Sequence, residues 1–277
     1  MERALQRTLA KSFLERHRRP PVLVLPNVWD ALSARLFAEV GFDALATTSG
    51  GVAWALGYPD GEVAPWPEVV GATERIVRCA RGPVTADIET GYGESTADVA
   101  KHVAEIIRAG VVGLNLEDGL RGTLRSTEDM IARLTAARQA AAAEGVPIVL
   151  NARCDVFHLP HGTANERLTT TIERCKAYLA AGADCVYPFG LRDPDLIAAV
   201  VKAVEGPVNI TGRPGMPDAA ALGRLGVARI TIASAPTVVI MDAIQTLASE
   251  FHATGSFDMF ASKLHRPDVQ RLFQPKE

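Results

Sequence analysis

Six short apolar runs in this chain each end in side chains able to do polar chemistry. Their ends read Thr47-Thr48-Ser49-Gly50-Gly51, Asp87-Ile88-Glu89, Asn115-Leu116-Glu117-Asp118, Asn151-Ala152-Arg153-Cys154-Asp155, Asn209-Ile210-Thr211 and Thr231-Ile232-Ala233-Ser234. On a strand, residues of equal parity look the same way, so Asp87 pairs with Glu89, Asn151 with Arg153 and Asp155, and Asn209 with Thr211 and Arg213. Buried carboxylates are costly unless paired or bound to a cation. Asp87, Glu89 and Glu117 at neighbouring strand ends would suit Mg2+, with Mn2+ as the other candidate ion, because such ions take oxygen ligands and keep waters that a substrate can displace. The competing reading is an ion-pair network around Arg153, but three carboxylates outnumber one arginine. Arg153 itself offers a planar fork for a substrate carboxylate, or else neutralises Asp155 or Glu117. Thr48-Ser49-Gly50-Gly51 offers hydroxyls and uncrowded backbone N–H groups to an oxyanion. Cys154 has the parity opposite to Arg153 and should face away from the site. His158 and His161 lie just past strand five, where exposure in a loop is the plainer expectation. Together these residue types describe a metal site holding a small acid, and therefore an enzyme.

Such a site needs strand ends gathered at one point. Strand patterns over 22–28, 44–49, 83–89, 111–118, 146–155, 184–189, 207–211 and 229–233 alternate with helical patterns over 31–39, 68–81, 97–109, 127–144, 165–181, 194–204, 218–225 and 237–250. Residues 50–67 read as a glycine-rich connection. Asp30 is placed to cap the first of these helices, and Ser126 or Thr127 the fourth. Several helices end in glycine just before the next strand, at Gly41, Gly82, Gly110, Gly145, Gly182, Gly206 and Gly226, as a left-handed cap requires. Strands apolar on both faces with helical crossovers imply a parallel sheet. Eight such units predict an α/β fold closed as a (β/α)8 TIM-type barrel, a fold that does its chemistry at the C-terminal strand ends. The absence of a GxGxxG turn after the first strand weighs against a dinucleotide-binding sheet.

The bulk numbers agree with one barrel domain over 1–277. The chain has 277 residues, against about 250 for a typical barrel. It is 48% hydrophobic and 22% charged, and Lys+Arg 29 against Asp+Glu 32 gives a net charge of −3. Bulk charge therefore does not favour nucleic acid. The basic run Arg16-His17-Arg18-Arg19 reads as a solvated helix end. No apolar stretch approaches the roughly 20 residues that span a bilayer, and the charged start lacks the apolar core of a secretory signal. Cys79, Cys154, Cys175 and Cys185 show no CxxC spacing, which fits small buried hydrophobes in a reducing cytoplasm. Residues 251–277 form a C-terminal helical extension carrying Phe251, Phe257, Phe260 and Phe273, too aromatic to stand in water. It could pack over its own barrel or over a neighbouring subunit.

At these same residues the sequence resembles the isocitrate lyase/phosphoenolpyruvate mutase superfamily, from about Leu25 to Ser234. The most specific stretch is Pro83-Val84-Thr85-Ala86-Asp87-Ile88-Glu89-Thr90-Gly91-Tyr92-Gly93, similar to the family's metal-site strand D-x-[DE]-x-G-[YF]-G. Leu25-Pro26-Asn27-Val28-Trp29-Asp30, Thr48-Ser49-Gly50-Gly51, Leu116-Glu117-Asp118, Ala152-Arg153-Cys154-Asp155 and Asn209-Ile210-Thr211 follow in the family's order. The resemblance implies a Mg2+-dependent lyase that cleaves a C–C bond of a small 2-oxo or 2-hydroxy (di)carboxylic acid through an enolate. It further implies that Asp87 ligates the ion directly, and Glu89 and Glu117 through water. Ser49, Gly50 and Gly51 would hold the 2-oxo acid's carboxylate, and Arg153 would stabilise the oxyanion. Asp60 matches an acidic residue near the metal. Asn209 and Thr211 would contact the distal acid group, with Arg213 able to serve a carboxylate or a phosphonate, and either water or Tyr92 would deliver the proton. Homo-oligomers, often tetramers exchanging a C-terminal helix, are common in the family.

Two departures narrow the activity. The lyases acting on isocitrate or methylisocitrate carry a mobile K-[KR]-C-G-H loop after the fourth strand. Here that place reads Gly119-Leu120-Arg121-Gly122-Thr123-Leu124-Arg125, without cysteine or histidine, which argues against those substrates. The longer loop of the phosphonate-forming mutases is missing as well. Strand six ends in Tyr187-Pro188-Phe189 where relatives carry glutamate or histidine, and Arg121 or Arg125 is the candidate replacement charge over the bowl. The alternatives are an enzyme of C–P bonds, of phosphonomutase or phosphonopyruvate hydrolase type, and a non-catalytic binder of 2-oxo acids.

Overall fold

The computed structural model describes residues 1–160 and 162–274. The first stave of its sheet, β1, comes in two pieces, Leu23–Val24 and Asn27–Val28. The other staves are β2 (Leu45–Thr47), β3 (Val84–Asp87), β4 (Gly113–Glu117), β5 (Val149–Cys154), β6 (Cys185–Pro188), β7 (Asn209–Thr211) and β8 (Arg229–Thr231). Neighbours from β1 to β6 pair parallel in chain order, and Val186 bridges Val208 to carry the sheet on to β7. β7 pairs with β8, and Leu23 of β1 lies opposite Arg229 of β8. Eight parallel staves thus close a ring, as the eight sequence units predict.

The helices around it are α1 (Arg3–Arg16), α2 (Ala31–Val40), α3 (Ser49–Leu56), α4 (Trp66–Cys79), α5 (Thr96–Arg108), α6 (Thr127–Glu144), α7 (Ala164–Ala180), α8 (Pro194–Val204) and α9 (Ala219–Arg224). α10 (Ala235–Thr254) and α11 (Arg266–Phe273) follow the last stave. Local chemistry sets their ends. Asp30 accepts the Ser33 N–H at 2.7 Å to start α2, and Gly41 at φ 114° turns the chain out of it, a conformation that glycine adopts without strain. α1 lies across the N-terminal end of the barrel, where the buried Gln6 donates to the carbonyls of Ile107 and Val111 at 2.7 and 2.8 Å. α3 was not expected. Thr48 leaves the strand to become a helix N-cap, and Val52 and Ala53 turn inward, so a helix replaces the start of the glycine-rich connection.

The barrel interior is partly polar. Asn151 Nδ2 donates to Asn115 Oδ1 at 2.8 Å, and the fully buried Arg229 reaches the same oxygen at 3.3 Å. At the C-terminus, Phe251 packs against Phe257 and Phe260 with ring centroids 6.0 and 5.4 Å apart, while Phe273 of α11 lies under Arg35 of α2 at 5.9 Å. The extension therefore touches its own barrel, yet Phe257 remains 73% exposed. Among the described residues, no helix is long and apolar enough to cross a membrane.

Candidate active site

A cleft of about 820 Å³ opens at the C-terminal ends of the staves. Beneath it, Asp87 ends β3. Its N–H donates to Thr47 Oγ1 at 2.8 Å, and its Oδ2 accepts the Ser49 N–H at 3.4 Å. Its Oδ1 is sealed from solvent and has no hydrogen-bond partner. Burial pushes its carboxyl above the usual range; Arg153 opposes that and Asp60 adds to it. Glu89, with φ 51°, leaves strand geometry but keeps its carboxylate in the cleft wall. Its Oε1 accepts the Glu62 N–H at 3.0 Å and the Tyr92 hydroxyl at 3.2 Å. Burial first, then the charges of Asp60 and Asp87, lift its pKa to about 8.

Arg153 sits across from these acids on β5. Its Nε and Nη2 grip Asp155 at 2.6 and 2.9 Å, and its Nη1 lies 2.6 Å from Glu117 Oε2. Its guanidinium also covers the Phe189 ring at 3.8 Å, a favourable cation–π contact. The ion-pair network open at the level of sequence therefore exists, but it is spent on Glu117 and Asp155. Glu117 is still raised well above the carboxylate range, because burial outweighs Arg153. Asp118, fully buried, braces this corner from behind: it accepts the Asp155 N–H at 2.8 Å and the Tyr178 hydroxyl at 2.6 Å, and pairs with Arg174 at 3.0 Å.

The first turn of α3 forms another wall. Thr48 makes no side-chain cap bond, so the N–H groups that open the helix are not used by a cap. Gly50 lies under Asp60: a Cβ there would be 3.0 Å from Asp60 Oδ2. A Cβ on Gly51 would meet Thr48, Thr237 and Trp29 at 2.6 to 2.8 Å. Tyr92, at φ 54°, packs on Trp66 with centroids 5.1 Å apart, and burial keeps its phenol protonated. Glu62 fixes this loop, its Oε1 accepting the N–H groups of Thr90 and Tyr92, both at 2.9 Å, and the Thr90 hydroxyl at 2.8 Å. Sequence reasoning missed Glu62, a loop residue whose partners Thr90 and Tyr92 lie far from it in sequence. It missed Asp118 and Phe189 as supports of Arg153 too.

Ser49, Asp60, Glu89, Tyr92, Glu117 and Arg153 thus share one cleft, with Asp87, Gly50 and Gly51 directly behind. Three further expected residues do not line it either. Asn209 is fully buried against Thr231, 3.3 Å away, and the buried Thr211 bonds the Tyr187 hydroxyl. Their parity does turn them inward, where they bond to Thr231 and Tyr187. Arg213 stands beside Phe189, 5.5 Å from its ring centroid, near His158 of the wall. His158 is on the wall, its ring 4.9 Å from that of Phe189, with its pKa lowered chiefly by burial; His161 lies outside the described residues. Cys154 is fully buried and turned from the cleft.

The donor set fits a hard cation. Asp87 Oδ1 has no partner, and Glu89 and Glu117 are crowded towards protonation, a strain that a cation relieves. Among the described residues, no three acidic, histidine or cysteine side chains close directly round one point. That suits an ion holding one carboxylate directly and others through water, as Mg2+ does.

Comparison with known proteins adds to this geometry. A family model described as phosphoenolpyruvate phosphomutase matches residues 13–252. Oxaloacetate decarboxylase 1 of Pseudomonas fluorescens (strain Pf0-1) is 33% identical over 218 residues, 74% of this chain and 71% of the relative. The 2-methylisocitrate lyase of Halalkalibacterium halodurans is 30% identical over 212 residues, 73% of this chain and 67% of the relative. A solved putative phosphonomutase from Burkholderia cenocepacia J2315 superposes with a TM-score of 0.84 at 42% identity, covering 88% of this chain and 99% of that one.

Proposed function

The chain belongs to the phosphoenolpyruvate mutase/isocitrate lyase superfamily, and from that membership we propose that it is a Mg2+-dependent lyase cleaving a C–C bond of a small 2-oxo or 2-hydroxy dicarboxylic acid through an enolate. The observation that carries the reading is the buried, unpartnered Oδ1 of Asp87 among Asp60, Glu89 and Glu117, facing one arginine already shared by two acids. Asp87 would hold the ion directly, with Glu89 and Glu117 through water, and Mn2+ could replace Mg2+. When bound, the ion supplies positive charge where the 2-oxo oxygen becomes an oxyanion.

The chain's own residues do the rest. Ser49 and the N–H groups of Gly50 and Gly51 at the start of α3 bind the carboxylate next to the 2-oxo group. Arg153, oriented by Asp155 and Phe189, adds hydrogen-bond donors to the oxyanion. Asp60 stands above Gly50, placed to accept the proton of a 2-hydroxy substrate. The Tyr92 hydroxyl, 3.2 Å from Glu89, holds a proton beside the cleft for the carbon left by bond cleavage. The relatives named for oxaloacetate and methylisocitrate support a substrate with at least two carboxylates.

The test is an NMR-monitored screen of 2-oxo and 2-hydroxy acids with and without Mg2+, run beside Asp87→Asn. We expect turnover of at least one dicarboxylate only with the ion, and a loss of about a hundredfold or more in the variant. Full activity in Asp87→Asn would remove the proposed ligand. Because the matching family model is named for a phosphomutase, phosphonopyruvate belongs in the panel, and turnover of it alone would move the chemistry to a C–P bond. Mg2+-dependent binding without turnover anywhere would mark a binder.

A further inference from the structure

The segment over the cleft after β4 is a short antiparallel ribbon, Gly119–Leu120 paired with Thr123–Leu124. Only Arg121 and Gly122 join the two halves, at φ 46° and 84°, the signature of a two-residue type I′ hairpin. Its root is fixed, since a Cβ on Gly119 would come within 2.6 Å of Asp155 Oδ2, the carboxylate that orients Arg153. From Gly119 to Arg121 the extended backbone covers roughly 7 Å, and Arg121 and Arg153 line the same cleft. Such a turn is a stiff lip rather than a long lid, and it holds a non-glycine residue in the left-handed region, which carries a modest steric cost.

Arg121 lines the cleft. The other cations on that wall are committed: Arg153 to Glu117 and Asp155, Arg125 to Asp129 at 2.8 Å. Among the described residues Arg121 has no ion-pair partner. Asn209 and Thr211 are bonded to Thr231 and Tyr187, and neither they nor Arg213 beside Phe189 line the cleft, which leaves Arg121 as the lining arginine open to the outer end of a substrate. We propose that Arg121 is the specificity-determining residue for the distal carboxylate of a dianionic substrate, held in place by the Arg121-Gly122 hairpin. This rests on reading the cleft as a 2-oxo acid site.

The test measures binding by calorimetry in Mg2+ for two matched pairs: oxaloacetate against 2-oxobutyrate, and 2-oxoglutarate against 2-oxopentanoate. Each pair keeps the chain length and exchanges a terminal carboxylate for a methyl group. The wild type should prefer the dianion by about tenfold or more in at least one pair, the effect of one charge-assisted hydrogen bond, and the preference should shrink with added salt. Arg121→Gln should erase that preference and leave the affinity for the monoanion unchanged. Gly122→Ala, which strains the turn but keeps the charge, should reduce the preference in part. Retention of the preference in Arg121→Gln, or equal losses for both members of a pair, would overturn the assignment. If none of the four acids binds the wild type, the 2-oxo acid reading fails and this assignment falls with it.

Discussion

Four acids, Asp60, Asp87, Glu89 and Glu117, crowd around Arg153, whose ion pairs already serve Glu117 and Asp155, and that imbalance has a thermodynamic consequence at the level of one residue. Glu89 titrates near 8 in the folded protein against an ordinary 4.5, through burial and the nearby charges of Asp60 and Asp87. Between those two values the folded state holds a proton that the unfolded state has released. The stability this contributes is full below about 4.5 and is lost as pH rises through 8, with a slope of up to about 1.4 kcal/mol per pH unit. Asp87 and Glu117 shift in the same direction. We therefore expect the metal-free protein, held in a chelator, to become less stable to urea as pH rises from 5 to about 8, with Glu89→Gln flattening that slope. Saturating Mg2+ should reverse it, because the ion binds the deprotonated acids and displaces their protons. A stability that climbs with pH in chelator would contradict the crowding. At this scale the sequence was legible where a strand end carries a charged residue, as at Asp87, Glu117 and Arg153. It was not legible for Glu62, whose carboxylate acts on the backbone of Thr90 and Tyr92 in a loop contact that no sequence period signals.

Among the elements, α3 shows why alternation alone misread one segment. Glycines after a strand suggested a loose connection, yet they are needed for close packing: Gly51 sits where a Cβ would meet Thr48, Thr237 and Trp29 at 2.6 to 2.8 Å. Pattern reading found the staves because they are short, almost wholly buried runs set between helices, although β7 and β8 carry the polar Asn209, Thr211, Arg229 and Thr231. It overran their ends by one to several residues, because Thr48 and Glu89 leave strand geometry to build the site. Gly51→Ala tests the packing argument. Three neighbours would have to shift, two of them on other elements, at a cost of about 1–3 kcal/mol, and the first-turn amides of α3 would shift with them. The expected outcome is a lowered melting temperature together with weakened binding of a 2-oxo acid. An alanine variant that melts and binds like the wild type would show the segment to be loose after all.

For the molecule as a whole, the question is what faces α10. That helix follows the last stave, and among its described residues only Thr237 is buried. Val238, Val239, Ile240, Met241 and Ile244 are each 46% to 66% exposed, and Phe251, Phe257 and Phe260, clustered near the C-terminal end of the helix, are exposed as well. Single exposed apolar residues are ordinary, but a contiguous patch of this kind marks an interaction surface. The superfamily resemblance points to a second copy of the chain as the partner, exchanging this C-terminal segment, and we propose a homodimer or tetramer on that basis. Closed symmetric assemblies are the common outcome when a chain offers one such patch to itself. Sedimentation velocity should then give a mass of two or four chains, and Met241→Glu with Ile244→Glu should yield a smaller species, since buried glutamates without partners oppose association. The paired variant should keep its cleft, because none of its substitutions touches Asp87, Arg153 or the hairpin. Mg2+-dependent binding of a 2-oxo acid would then be retained in the dissociated form, which separates assembly from the site. A wild-type protein that sediments as one chain across micromolar concentrations would instead leave α10 as a surface seeking a different partner.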